Sequence, residues 1–170
     1  MKLRTLTLLM LLLLTFSVQF AQAEPPKPNL KTPGWKLQSD HWNLLNPSLS
    51  WKSPPMMYNI EWATRGQKYF EAKIKGTSPG SDPKTSLWLS DWTETTVQGK
   101  KAWQAERTTK STQASSYEKV YFVVEEEAAP GKFKGYDITF VYSRPGSSFI
   151  RKNPKSLTLQ KLLDQTTFPK

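Results

Sequence analysis

Cysteine is absent from the 170 residues. That excludes disulfides, thiolate metal sites and cysteine nucleophiles, and it leaves packing to hold the domain together. Histidine occurs once, as His41. A Ser-His-Asp triad would need that single ring, and so would most zinc sites. Beside Trp42 in a polar stretch, it reads as a surface or cap residue. The patterns G-x-S-x-G, H-E-x-x-H, the P-loop and G-x-G-x-x-G are all missing. Gly131-Lys-Phe-Lys-Gly135 is too sparse to cradle a phosphate and falls at a hairpin bend. No run of five like charges marks a binding tail.

The start of the chain reads as an address. Lys2 and Arg4 precede an apolar run from Leu8 to Leu14, extended by Phe16, Val18 and Phe20, and Ala21-Gln22-Ala23 is a small-x-small cleavage site. This is the form of a Sec-type signal peptide cut before Glu24. The run is short of the ~20 residues a spanning helix needs, so no transmembrane segment is expected after cleavage, and no Cys follows to carry a lipid. The expected location is periplasmic or secreted. Without Lys2 and Arg4, 22 of the 24 basic residues face 14 acidic ones, a net charge of +8. Such a charge keeps a protein soluble and favours contact with anionic surfaces.

The rest, residues 24–170, suits one domain, which at this size buries about 70% of its unfolded surface. Residues 24–34, with Pro25, Pro26, Pro28 and Pro33, read as an extended, mobile leader, and a domain over 35–170 follows. The clearest elements are two strands between Tyr117 and Arg144. Tyr136, Ile138, Phe140 and Tyr142 alternate with Asp137, Thr139, Val141 and Ser143, the period of a half-buried strand. Val120, Phe122 and Val124 alternate with Tyr121 and Val123, apolar on both sides, as a strand inside a sheet should be. A hairpin is expected over Met57–Ile74, with Tyr58, Ile60 and Trp62 buried. A short helix is expected over 83–92, capped by Asp82, and a hairpin around Gln98-Gly99. A Leu-rich helix over 156–165 closes the chain, with Leu157 in its apolar stripe and Phe168 returning to the sheet. The sum is an α+β domain: an antiparallel sheet of six or seven strands covered by helices.

Three stretches resemble the Mog1/PsbP/DcrB-like superfamily: Val97-Gln-Gly-Lys-Lys-Ala-Trp103, Val120-Tyr-Phe-Val-Val124 with Tyr136-Asp-Ile-Thr-Phe-Val-Tyr142, and Leu157-Thr-Leu-Gln-Lys-Leu-Leu163 followed by Thr167-Phe168. The likeness covers roughly the last 90 residues and is one of pattern. It implies an α/β/α sandwich and a non-enzymatic accessory or binding role, and it carries over no site residues. The Trp- and Pro-rich stretch Trp35–Trp62 departs from it.

Two features remain that bear on chemistry. Glu125, Glu126 and Glu127 form an acidic triplet at a strand end. Successive strand residues point to opposite sides, so a solvated run fits better than a Ca²⁺ site. Asp82, Asp91 and Glu94 are candidates for paired-carboxylate hydrolysis by residue type alone. The seven Trp residues are the more unusual feature. Trp62 and Trp103 alternate with polar neighbours and read as core, and Trp88 as lying under the helix. Trp42 and Trp51, among Pro, Asn and Ser, are the candidates for exposed ligand or partner contacts. The leading expectation is a periplasmic, non-enzymatic protein without a cofactor. It would engage a protein or cell-envelope component, an anionic one included, and no nucleic acid, because the basic residues are scattered rather than interleaved with aromatics. The alternative is a carbohydrate or wall-polymer module stacking sugars on Trp42 and Trp51.

Overall fold

The structure, a computed structural model, describes residues 24–71, 85–152 and 155–169. Its centre is the pair β8 (Ala114–Ala129) and β9 (Lys132–Pro145), the longest strands of the fold. On one side of β9 lie β4 (Met56–Gly66), β3 (Ser48–Ser53) and β2 (Lys36–Asp40). On the other side of β8 lies β7 (Lys100–Lys110), whose outer edge is shared end to end by β6 (Thr93–Val97) and β5 (Ser86–Trp88). All eight strands pair antiparallel. A separate ribbon joins β1 (Asn29–Leu30) to β10 (Thr166–Thr167).

Alternation divides the sheet into two packed faces. On the first, Ile60, Ile138 and Tyr121 stand side by side across β4, β9 and β8, joined by Tyr58, Phe140, Tyr136 and Val123. This face is closed by α2 (Ser156–Gln165) through Leu159, Leu162 and Leu163, by Phe168 with its ring tilted 37° to that of Tyr136 at 4.8 Å, and by Trp42. On the second, Val120, Phe122, Trp103 and Phe133 pack under α1 (Gln67–Glu71), whose Phe70 lies flat on Trp103 at 4.0 Å with 4° between the rings. Large aromatic side chains each contribute ~2 kcal/mol or more when buried. All seven Trp residues belong to one core or the other, four of them buried outright. In a chain without disulfides they supply the packing.

The expected α+β architecture is corrected. Of the described residues 57% are in strands and 11% in helices. Two helices lie among them, one only five residues long, so the sheet is not the middle layer of an α/β/α sandwich of Mog1/PsbP-like type. The physical reason is local. Leu87 and Trp88 sit in strand β5 against Arg107 and Thr108, not in a helix, while residues 83–84 lie outside the described set. The alternation of Phe70, Ala72 and Ile74 pointed to a strand, yet Phe70 sits in α1 and residues 72–75 lie outside the described set. The hairpin of β4 is therefore made with β3, across Pro54-Pro55, and not with the segment after Arg65-Gly66; its other side pairs with β9. Leu157, placed in the apolar stripe of α2, is 86% exposed. Residues 1–23, which carry the expected signal peptide, also lie outside the described set.

Candidate functional site

The sheet is stepped where β3 ends. β3 runs alongside β4 only as far as the pair Ser48–Glu61. One more bond, Trp62 N to Pro47 O at 3.0 Å, follows before the chain leaves. Beyond it β4 continues to Gly66, paired with β9 on its inner side only. Backbone groups alternate sides along a strand. Thr64 therefore points its N–H and C=O the same way as Trp62, outward, where no strand runs among the described residues.

Beside this open edge lies a groove of about 1120 Å³. One wall is the loop Asn43–Pro47, with Leu44 61% and Leu45 96% exposed. The opposite wall is formed by Glu125 and Glu126 of β8 and Lys134 of β9, and Glu24, Pro25 and Pro26 cross one end. The register slips between Val124 and Glu126, so that Glu126 stands opposite Lys134. Such bulges re-aim side chains. Here the slip splits the acidic triplet. Glu125 accepts from Lys100 Nζ at 2.5 Å, Glu126 pairs with Lys134 at 2.9 Å, and Glu127 accepts from Gly131 N at 2.9 Å.

The leader is fixed in place. Trp42 Nε1 donates to Pro25 O at 2.8 Å, Tyr136 Oη donates to Pro26 O at 2.8 Å, and Lys27 pairs with Asp40 at 2.6 Å. The Lys27 ammonium holds the Asp40 carboxyl below the usual range. Burial, with Glu125 nearby, pushes the Tyr136 hydroxyl well above the ordinary phenol range, so it remains a donor. The ordered fold thus reaches back to Pro25, well before the expected start near Trp35.

Electrostatically the groove opposes the net charge of the protein. Glu24, Glu61, Glu125 and Glu126 line it against Arg65 and Lys134. Both cations are engaged, Lys134 as above and Arg65 with Asp137 at 2.6 Å. Burial raises the Asp137 carboxyl above its ordinary value, and Arg65 opposes the rise. Arg65 also donates to Thr64 O at 3.3 Å, and its Nε is buried without an acceptor. Glu24 and Glu61 have no ion-pair partner among the described residues, so the open ground of the groove is acidic and apolar.

Trp42 and Trp51, expected as exposed contacts, are 2% and 5% exposed. Trp42 stacks on Tyr136 at 6.4 Å, and Trp51 packs against Tyr58 at 6.0 Å. Neither presents a free ring for a sugar. The polar neighbours that suggested exposure belong to a loop that folds its one aromatic residue inward. For Trp51 a signal was present, since Leu49 and Trp51 alternate with Ser48, Ser50 and Lys52, and these two line the buried face of β3. His41 is exposed, and its main chain bonds Ser48 O and Leu44 N. Glu94 pairs with Lys101 at 3.3 Å, and Asp82 lies outside the described residues. Sequence reasoning missed Thr64 and Leu45, because the edge they flank depends on where β3 stops. Compared with known proteins, the chain matches no family model and no curated protein.

Proposed function

We propose that this is an exported, non-enzymatic accessory protein that captures an extended segment of a partner polypeptide, adding it as a strand to the open half of β4. The observation that carries the reading is the step in the sheet. A strand with one satisfied edge and one open edge, bordered by a groove, offers main-chain hydrogen bonds to any extended peptide, and the flanking side chains select among sequences. Leu44, Leu45 and Trp62 favour apolar side chains, while Glu24 and Glu61 favour basic ones. The export signal and the lack of catalytic residue sets in the sequence support a role by contact.

Thr64→Pro tests the reading. Proline removes the outward N–H at an edge position where it leaves the β9 ladder intact. With a photo-crosslinking residue in place of Leu45, intact cells are expected to yield a polypeptide adduct that Thr64→Pro suppresses while the melting temperature holds. An adduct indifferent to Thr64→Pro, or one formed only with lipid or glycan, refutes the proposal.

A further inference from the structure

The end of β9 away from the acidic groove is basic. Lys110 at the end of β7 stands opposite Ser115 of β8, which stands opposite Arg144 of β9. Residues directly opposite share a face, and two strand spacings place these two cationic residues roughly 10 Å apart at the backbone. The segment after β9 folds back onto this corner, with Gly146 N donating to Gln113 O at 2.9 Å and Ile150 N to Thr108 Oγ1 at 3.2 Å. Phe149 is thereby set 4.6 Å from Lys110 Nζ and 5.5 Å from Arg151 Cζ. Two cations share one ring, and neither has a carboxylate in reach among the described residues. Ser115 Oγ, between Lys110 and Arg144, is buried without a hydrogen-bond partner. From Arg144 to Leu163 the sequence holds five basic residues and no acidic one. On α2, Leu157 points away from the buried leucines, 86% exposed, one turn before Lys161.

Like charges gathered on one ring repel, and the ring face offsets only part of that. An anion relieves the rest. The cations are spread over three segments of the chain and line neither the groove beside β4 nor the small cavity between Gln98 and Leu163. This arrangement suits a surface of many anions better than one small ion, and half-buried Phe149 and exposed Leu157 suit the boundary between headgroups and acyl chains. We propose that the corner formed by Lys110, Arg144, Phe149 and Arg151 is a docking surface for bilayers rich in anionic phospholipid. This goes beyond the peptide groove, which lies at the other end of the sheet.

Co-sedimentation with vesicles provides the test. The protein is expected to bind vesicles of equal parts phosphatidylcholine and phosphatidylglycerol, to release them at high salt, and to ignore pure phosphatidylcholine. The charge-reversed variant K110E/R144E/R151E is expected to partition at least about a hundredfold more weakly, and the single exposed change Arg151→Gln about fivefold more weakly. K31E/K68E/K132E changes the net charge equally at exposed sites away from this corner, and should stay within about threefold of the parent. Circular dichroism confirms that each variant is folded. If Arg151→Gln is neutral, if the two triple variants lose equally, if neutral vesicles bind as well, or if heparin binds and vesicles do not, the inference falls. Thr64→Pro should leave vesicle binding untouched, so this failure and failure of the groove are separable.

Discussion

Individual side chains in this fold hold together segments distant in sequence. Gln98 has a left-handed backbone, φ 51°, and donates from Nε2 to Leu163 O at 2.6 Å and Thr166 O at 2.8 Å. It thus adds a side-chain donor to Leu163 O, which also accepts from Thr166 N, and ties the turn before β7 to the junction of α2 and β10. Gln98→Ala is expected to cost about 1–2 kcal/mol in denaturant unfolding; an unchanged midpoint would show that water replaces it freely. Asp137 is a case where charge works against folding. Its carboxyl is raised by burial despite Arg65, so the folded state keeps a proton at a pH where the unfolded chain has released it. Ionisation of Asp137 therefore removes stability as pH rises from the ordinary carboxyl value through the folded value. Arg65→Met takes away the opposing charge, and the Asp137 midpoint in a carboxyl NMR titration should climb further. A fall, or no movement, would mean that the ion pair is not what restrains it.

Strands with a complete side-chain alternation were legible in the sequence; those defined by their neighbours were not. β8 and β9 announce themselves through Val120–Val124 and Tyr136–Tyr142, and the structure has both at the centre, with β8 apolar on both faces. The Gln98-Gly99 hairpin and the closing helix are likewise where the pattern puts them. The leader was not readable, because Pro25 and Pro26 are held by their carbonyls and main-chain acceptors leave no trace in residue type. The step beside β4 was not readable either, since it follows from the length of β3 relative to β4. One glycine is needed to let the central pair close. A Cβ on Gly135 would lie 2.0 Å from Val123 O and 2.9 Å from Val123 C, both main-chain atoms. Relief requires the two longest strands to separate, so Gly135→Ala is expected to destabilise by about 3 kcal/mol, read as a lowered melting temperature. A variant as stable as its parent would mean the strands can part there at little cost.

Across the whole molecule, the acidic groove and the basic corner lie toward opposite ends of β9. Lys134 faces the acidic groove and Arg144 the basic corner, ten residues apart and therefore roughly 33 Å. A body with a basic corner at one end and an acidic groove toward the other orients itself in the field of an anionic surface. The basic corner turns toward the surface and the groove away from it, leaving the open edge of β4 accessible to a partner. The absence of native cysteine makes the orientation measurable, since one introduced thiol can be labelled without competition. Ser147→Cys, in the exposed segment after β9, and Asn46→Cys, on the groove wall, each carry an environment-sensitive dye. Anionic vesicles are expected to shift the emission at position 147 and leave position 46 unchanged. Equal shifts at both positions would mean that the protein lies flat on the membrane, with its groove covered and its two ends acting as one surface.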